Sequence, residues 1–132
     1  MPNKILVTSK HNKELVDISS AVQAEIDSAG WKNGVLYLFV PHTTAAVTIN
    51  ENADPTVQTD ICYALTQAFP DHPAFRHMEG NSDAHVMTSL TGSSEILFIE
   101  EGRPVLGTWQ GIYLAEFDGP RTRQVLLKFI SE

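Results

Sequence analysis

Residues 77–85 read His77-Met78-Glu79-Gly80-Asn81-Ser82-Asp83-Ala84-His85. Every odd position can hold a metal or move a proton, and the even positions are small or apolar. No helix face gathers residues at i, i+2 and i+4, whereas an extended segment puts them on one side. Two imidazoles and two carboxylates crowded together are costly to bury unpaired, so a cation, a substrate or water is expected among them. Glu79 and Asp83 are the candidate proton-transfer groups, and Asn81 a substrate contact. The plainer alternative is a solvated loop turning at Gly80-Asn81.

A second group is Pro41-His42-Thr43-Thr44, with Asn50, Glu51, Asn52 and Asp54 downstream. His42 stands where a buried strand ends, a usual place for functional side chains. A histidine there is often just a satisfied core residue, but His77 and His85 offer it partners. Three histidines with one position left to water would match an open catalytic metal site, although no His-x-x-x-His or Cys-x-x-Cys spacing fixes such a geometry. Glu51 could serve as general base or orient a histidine. Asp54 is better explained as a helix cap. Thr43 and Thr44 lack a serine-hydrolase elbow and read as hydrogen-bond donors to substrate. His11 and His72, in turn-like surroundings, read as surface residues.

A third group runs Leu106-Gly107-Thr108-Trp109-Gln110-Gly111, then Phe117-Asp118-Gly119-Pro120-Arg121. Glycines flanking Trp109-Gln110 allow close backbone approach, and Trp109 could stack on a flat ring or be core. Arg121 and Arg123, two apart, suit bidentate capture of a phosphate or carboxylate, or an ordinary surface ion pair. Cys62, on an amphipathic helix without an adjacent base, reads as an inert thiol.

The elements that must position these groups follow from periodicity. Strands are expected at 4–9 and 14–18, and a helix from Ser19 or Ser20 to about Ala29, stopped by Gly30. The apolar run 34–41 reads as a central strand ended by Pro41, and 43–50 as another. Asp54-Pro55 opens a helix over 55–69, with Val57, Ile61, Leu65 and Phe69 at four-residue spacing. Strands are expected at 85–91 and 95–100, and a long hairpin at 111–118 and 121–130 turning at Asp118-Gly119-Pro120-Arg121. About eight strands and two main helices make an α+β domain, a mainly antiparallel sheet or sandwich, with residues 1–132 as one unit.

Composition narrows the function. A formal charge of −7, with nine scattered Lys and Arg, argues against nucleic acid. It also repels phosphorylated ligands unless a cation or an arginine cluster intervenes. The single cysteine excludes an internal disulfide framework and fits a reducing compartment. No signal-peptide pattern or membrane-length apolar run is visible, so a cytoplasmic protein without a membrane role is expected.

Taken together, His42-Thr43-Thr44-Ala45-Ala46, the run Asn50 to Pro55, the His77–His85 segment and the Leu106–Gly111 and Phe117–Arg121 motifs resemble the YjbQ-like family, also labelled secondary thiamine-phosphate synthase. The resemblance covers essentially the whole chain. It implies a compact α+β fold assembled as a homotrimer, with the polar motifs in a cleft near subunit boundaries. It also implies a metal site on His42, His77 and His85 for a divalent cation, zinc or magnesium, and no organic cofactor. The activity it implies joins a pyrimidine diphosphate to a thiazole phosphate with release of pyrophosphate, a minor activity of the family. Here a cation and Arg121 would neutralise phosphate, Trp109 would stack on the pyrimidine, and Gln110 would join the substrate contacts. No phosphate-cradling glycine loop accompanies them. Two other readings stand beside this one: a metal-dependent hydrolase, and a non-catalytic binder of a small phosphorylated ligand.

Overall fold

The apolar run that begins at Gly34 becomes β3 (Gly34–Phe39), the middle strand of a five-stranded antiparallel sheet in the computed structural model, which describes residues 2–132. Its neighbours are β5 (Ser94–Glu100) on one side and β8 (Thr122–Ser131) on the other. β1 (Asn3–Thr8) closes the edge beyond β8, and the two-residue β6 (Arg103–Pro104) lies beyond β5. A second, three-stranded sheet has the order β2 (Glu14–Asp17), β7 (Gln110–Glu116), β4 (Ala45–Glu51), again antiparallel throughout. Leu36, Leu38, Leu97, Val125 and Leu127 from the first sheet meet Ala45, Val47, Ile112 and Leu114 from the second, the alternate inward positions of each strand.

Helix α1 (Ser19–Ala29) adds Val22 and Ile26 to this core, one turn apart, and ends at Gly30 in the left-handed conformation (φ 72°). Helix α2 (Pro55–Ala68) starts as its sequence demands. The Asp54 carboxylate accepts the Thr56 N–H at 3.0 Å, and proline fills the first helical position, where no N–H is needed. Its stripe Val57, Ile61, Leu65 is half-buried against the outer side of the three-stranded sheet.

Three expectations are corrected. Residues 85–91 are not a strand, and 77–85 is not extended with its odd positions on one side: the chain turns, then forms α3 (Ser82–Thr91). Gly80 takes a positive φ (75°) and its N–H closes a turn on His77 O at 3.1 Å, which ends any strand there. Asn81 occupies the N-cap, Asp83 lies in the first turn, and Ala84, Met87 and Thr88 bury one helical face over β4. The tail is not a hairpin either. β7 and β8 belong to different sheets, because Gly111–Glu116 are buried on both faces and fill the middle of the second sheet. The segment 117–121 therefore carries the chain from one sheet to the other. β1 and β2 are split between the sheets in the same way.

Candidate functional site

Beyond β3 the chain straightens through Val40, whose N–H bonds to Ser93 O at 2.8 Å, and presents His42. The His42 Nε2 accepts the backbone N–H of Gln124 at 2.9 Å. A proton on that nitrogen would face the amide hydrogen, so the neutral ring carries its proton on Nδ1. Burial, then the nearby Arg123 charge, hold the His42 pKa below its ordinary value; Glu116 opposes them and Arg121 adds to them.

Helix α3 supplies the facing wall. His42 and Thr43 on one side, and His85, Thr88, Ser89 and Ser93 on the other, line a cavity of about 330 Å³. Thr88 is 7% exposed, and its Oγ1 has no hydrogen-bond partner. The His85 side chain, which lines this cavity, makes no hydrogen bond among the described residues. The residues that meet here come from segments about forty positions apart.

His77 packs edge-on against His85, ring centroids 5.3 Å apart and planes at 86°, on the loop outside the cavity wall. Glu79 lies beside it, 3.7 Å from His77 Nε2, and is well exposed. Among the described residues, no three His, Cys, Asp or Glu side chains come together to hold a metal ion. The expected His42–His77–His85 set therefore does not close on one point within a chain: the turn at Gly80 and the start of α3 separate His77 from the cavity.

The other expected residues divide into three fates. Asp83 pairs with Lys13 at 3.1 Å, and the same ammonium donates to Phe117 O at 2.8 Å, which ties α3 to the crossover. Asn81 Nδ2 donates to Asp118 Oδ2 at 2.8 Å, and Arg121 grips Asp118 through Nε to its carbonyl (2.8 Å) and Nη2 to its carboxylate (3.1 Å). Arg121 is thus engaged within its own turn. Glu51, Trp109 and Gln110 lie at the far end of the second sheet. The register pairs Ala45 with Glu116 but Glu51 with Gln110, and seven residues of strand span roughly 20 Å. There the Glu51 carbonyl accepts from Tyr113 Oη (3.0 Å) and Gln58 Nε2 (3.1 Å), and Gln110 Oε1 accepts the Gly107 N–H at 2.8 Å. Trp109 is 63% exposed, so it is not core.

The sequence reading missed the buried ion pair beneath the site. Arg123, expected to join Arg121 in capturing an anion or in a surface ion pair, instead shares the inward face of β8 with Val125 and Leu127 and meets Glu116 from β7. Arg123 Nη2 also donates to Thr44 O (3.1 Å) and Oγ1 (2.8 Å), so Thr44 supports this pair and is itself buried. Ser9 Oγ and the Asp118 N–H complete the Glu116 carboxylate, at 2.7 and 2.9 Å. Burial alone would raise the Glu116 pKa. The hydrogen bonds from Arg123, Asp118 and Ser9 outweigh it and leave the carboxyl below its ordinary value. The signal was available: a charged residue at an inward position of each strand, next to apolar neighbours.

Comparison with known proteins agrees on one assignment. The family model described as UPF0047 protein YjbQ-like matches residues 3–132. A UPF0047 protein of Methanocaldococcus jannaschii is 47% identical over 129 residues, 98% of this chain and 94% of that protein. UPF0047 protein YugU of Bacillus subtilis is 43% identical over 131 residues, 98% of this chain and 99% of that protein. Crystal structures agree with the fold. An uncharacterized conserved protein of the YjbQ/UPF0047 family from Clostridium acetobutylicum superposes with a TM-score of 0.92 at 46% identity, covering 97% of this chain and 99% of that one. A conserved hypothetical protein from Thermus thermophilus gives 0.91 at 43% identity, covering 97% and 99%. These names state a family and no activity, and the expected thiamine-phosphate synthesis does not stand against them. The hydrolase and phosphorylated-ligand alternatives gain no support from them either. In the structure, Arg121 and Trp109, the residues assigned to phosphate and pyrimidine, lie beyond opposite ends of β7. The chain belongs to the YjbQ-like UPF0047 family.

Proposed function

We propose that this protein is an acid–base enzyme acting on a small polar substrate in the cavity between His42 and α3. The observation that carries this is the hydrogen bond from the Gln124 amide to His42 Nε2, on a ring that lines the cavity. With Nε2 committed to the Gln124 amide, its Nδ1–H serves as a hydrogen-bond donor that can hold a substrate oxygen as negative charge develops there. His85 lines the same cavity with no hydrogen bond on its ring, and it takes the part of the proton-transferring base. No step runs through a metal ion.

The homotrimer is carried over as part of this proposal. The outer face of the five-stranded sheet supports it, since Leu6, Tyr37, Phe39, Ile96, Phe98 and Ile130 are all exposed there. No helix among the described residues is long and apolar enough to cross a membrane. A cytoplasmic setting, suggested by a lone thiol, belongs to the same proposal.

The test is proton exchange in D2O. A panel of small hydroxylated carbonyl compounds, neutral and acidic, is incubated with the protein, and C–H loss is followed by proton NMR. The wild type should label at least one compound, and His85→Ala should abolish the labelling. A wild type that labels none of the panel, or a His85→Ala protein that labels as fast, overturns the proposal. Nitrogen-15 ring spectra should show His42 neutral, with its proton on Nδ1, near pH 6.5.

A further inference from the structure

His42 and Thr43 stand on a segment that belongs to no strand. β3 ends at Phe39, and its ladder with β8 stops there, opposite Leu126. Pro41 follows and has no N–H to continue the pairing. Residues 122–125 of β8 therefore pair with β1 alone, from Thr122 opposite Thr8 to Val125 opposite Ile5. This stretch, left without β3, is what holds the segment. The Gln124 N–H goes to His42 Nε2 at 2.9 Å. One residue earlier in the same strand, Arg123 Nη2 reaches the Thr44 carbonyl at 3.1 Å and its hydroxyl at 2.8 Å.

Arg123 is itself fixed, by Nε and Nη2 on the two oxygens of the buried Glu116 carboxylate. A buried ion pair is a weak source of stability, since apolar residues of like volume often serve as well. What apolar residues could not supply is a rigid, planar set of donors aimed at Thr44. The Thr44 carbonyl also accepts the Phe117 N–H at 3.2 Å, whereas its hydroxyl has Arg123 as its one partner among the described residues. A bond of 2.9 Å is lost when its atoms part by about 1 Å. A small slip at Thr44 therefore frees the His42 ring, two residues away, and opens both neutral tautomers to it.

We infer that Arg123 is a positioning residue for the cavity: by holding Thr44 it keeps His42 against the Gln124 amide, and so sets which ring nitrogen His42 presents to a ligand. The inference rests on the acid–base proposal for the part His42 plays, and it names the residue that orients it. Arg123 acts through Thr44 and touches no ligand. Ser9, bonded to the Glu116 carboxylate at 2.7 Å, belongs to the same buried network but has no contact with Thr44.

The experiment uses the full chain, labelled with nitrogen-15 and free of ligand, at pH 8. It reads the coupling between the Gln124 and His42 Nε2 nitrogens across their hydrogen bond, together with the two ring nitrogen shifts of His42. Wild type should show the coupling and a single tautomer. Arg123→Lys keeps the charge but loses the planar fork, and it should abolish the coupling and mix the tautomers. Thr44→Val keeps the branched shape and removes only the hydroxyl; it should weaken the coupling about twofold or more. In D2O it should also slow His85-dependent labelling about tenfold with little change in KM. Ser9→Ala breaks the same network on the far side of Glu116, so it should lower Tm and leave the His42 signals in place. A wild type without the coupling overturns the inference. So does an unchanged coupling in Thr44→Val or in a folded Arg123→Lys, or a Ser9→Ala protein that disturbs it as much. The ring signals need no substrate, so a wild type that labels nothing overturns the acid–base proposal alone, and the two failures are read separately.

Discussion

Replacing Thr88 with valine should make the protein more stable. The substitution keeps the branched shape and nearly the same volume, and valine and threonine differ little in helix propensity. What it removes is an oxygen buried in α3 with no partner. Leaving such a hydroxyl unpaired costs about 1–3 kcal/mol in proteins. Unfolding entropy of about 2.1 cal/mol/K per residue over 132 residues makes each kcal/mol worth roughly 3–4 °C. Thr88→Val should therefore raise Tm by about 3–10 °C. Scanning calorimetry at a fixed chain concentration is the assay, since any assembly makes Tm depend on concentration. A Tm that is unchanged or lower would show that the hydroxyl is satisfied in solution.

Arg123→Met leaves the Glu116 carboxylate buried without its partner and should cost about 3–5 kcal/mol in denaturant unfolding. Adding Glu116→Gln should recover part of that loss; a single variant as stable as wild type would show that the pair is not desolvated as described. Acid should weaken the fold in two stages, because both shifted groups bind protons less readily folded than unfolded. The His42 contribution is complete above its ordinary value of 6.5 and is lost as pH falls through its lowered folded value. The Glu116 contribution is complete above 4.5 and is lost as pH falls through a lower one. Unfolding free energies measured from pH 8 to pH 3 should show the first stage vanish in His42→Gln, and a curve identical to wild type would exclude a lowered His42 pKa. Burial, chiefly, pushes the Cys62 thiol above its ordinary value. It should react slowly with a thiol reagent at pH 8, and Cys62→Ala should retain His85-dependent exchange.

How much of this was legible in the chain depends on the range of the interaction that decides it. Asp54-Pro55 and Gly30 punctuate their helices through groups two to four residues away, so α2 began where its cap and proline placed it, and α1 ended at its glycine. Period and length located β3, β4 and β5, and with the helices they determined an α+β fold of mainly antiparallel strands. His42 and Thr43 were singled out because they stand where a buried strand ends, and they line the cavity, though the expected metal set with His77 and His85 does not come together within the chain. The alternation of polar side chains at 77–85 was misleading, since burial of Ala84, Met87 and Thr88 over β4 outweighs any local preference for extension. Tertiary structure alone decided that β7 and β8 part into different sheets, and that Arg123 turns inward to Glu116 and Thr44. It also decided that Asp83 is spent on Lys13, and that Glu51 and Trp109 sit a strand's length from the histidines. Those outcomes depend on partners brought together from distant parts of the chain or on the register of paired strands. The sequence shows that such groups need partners; only the packed sheets determine which ones they receive, and among the described residues leave Asn81 Oδ1 and Thr88 Oγ1 with none.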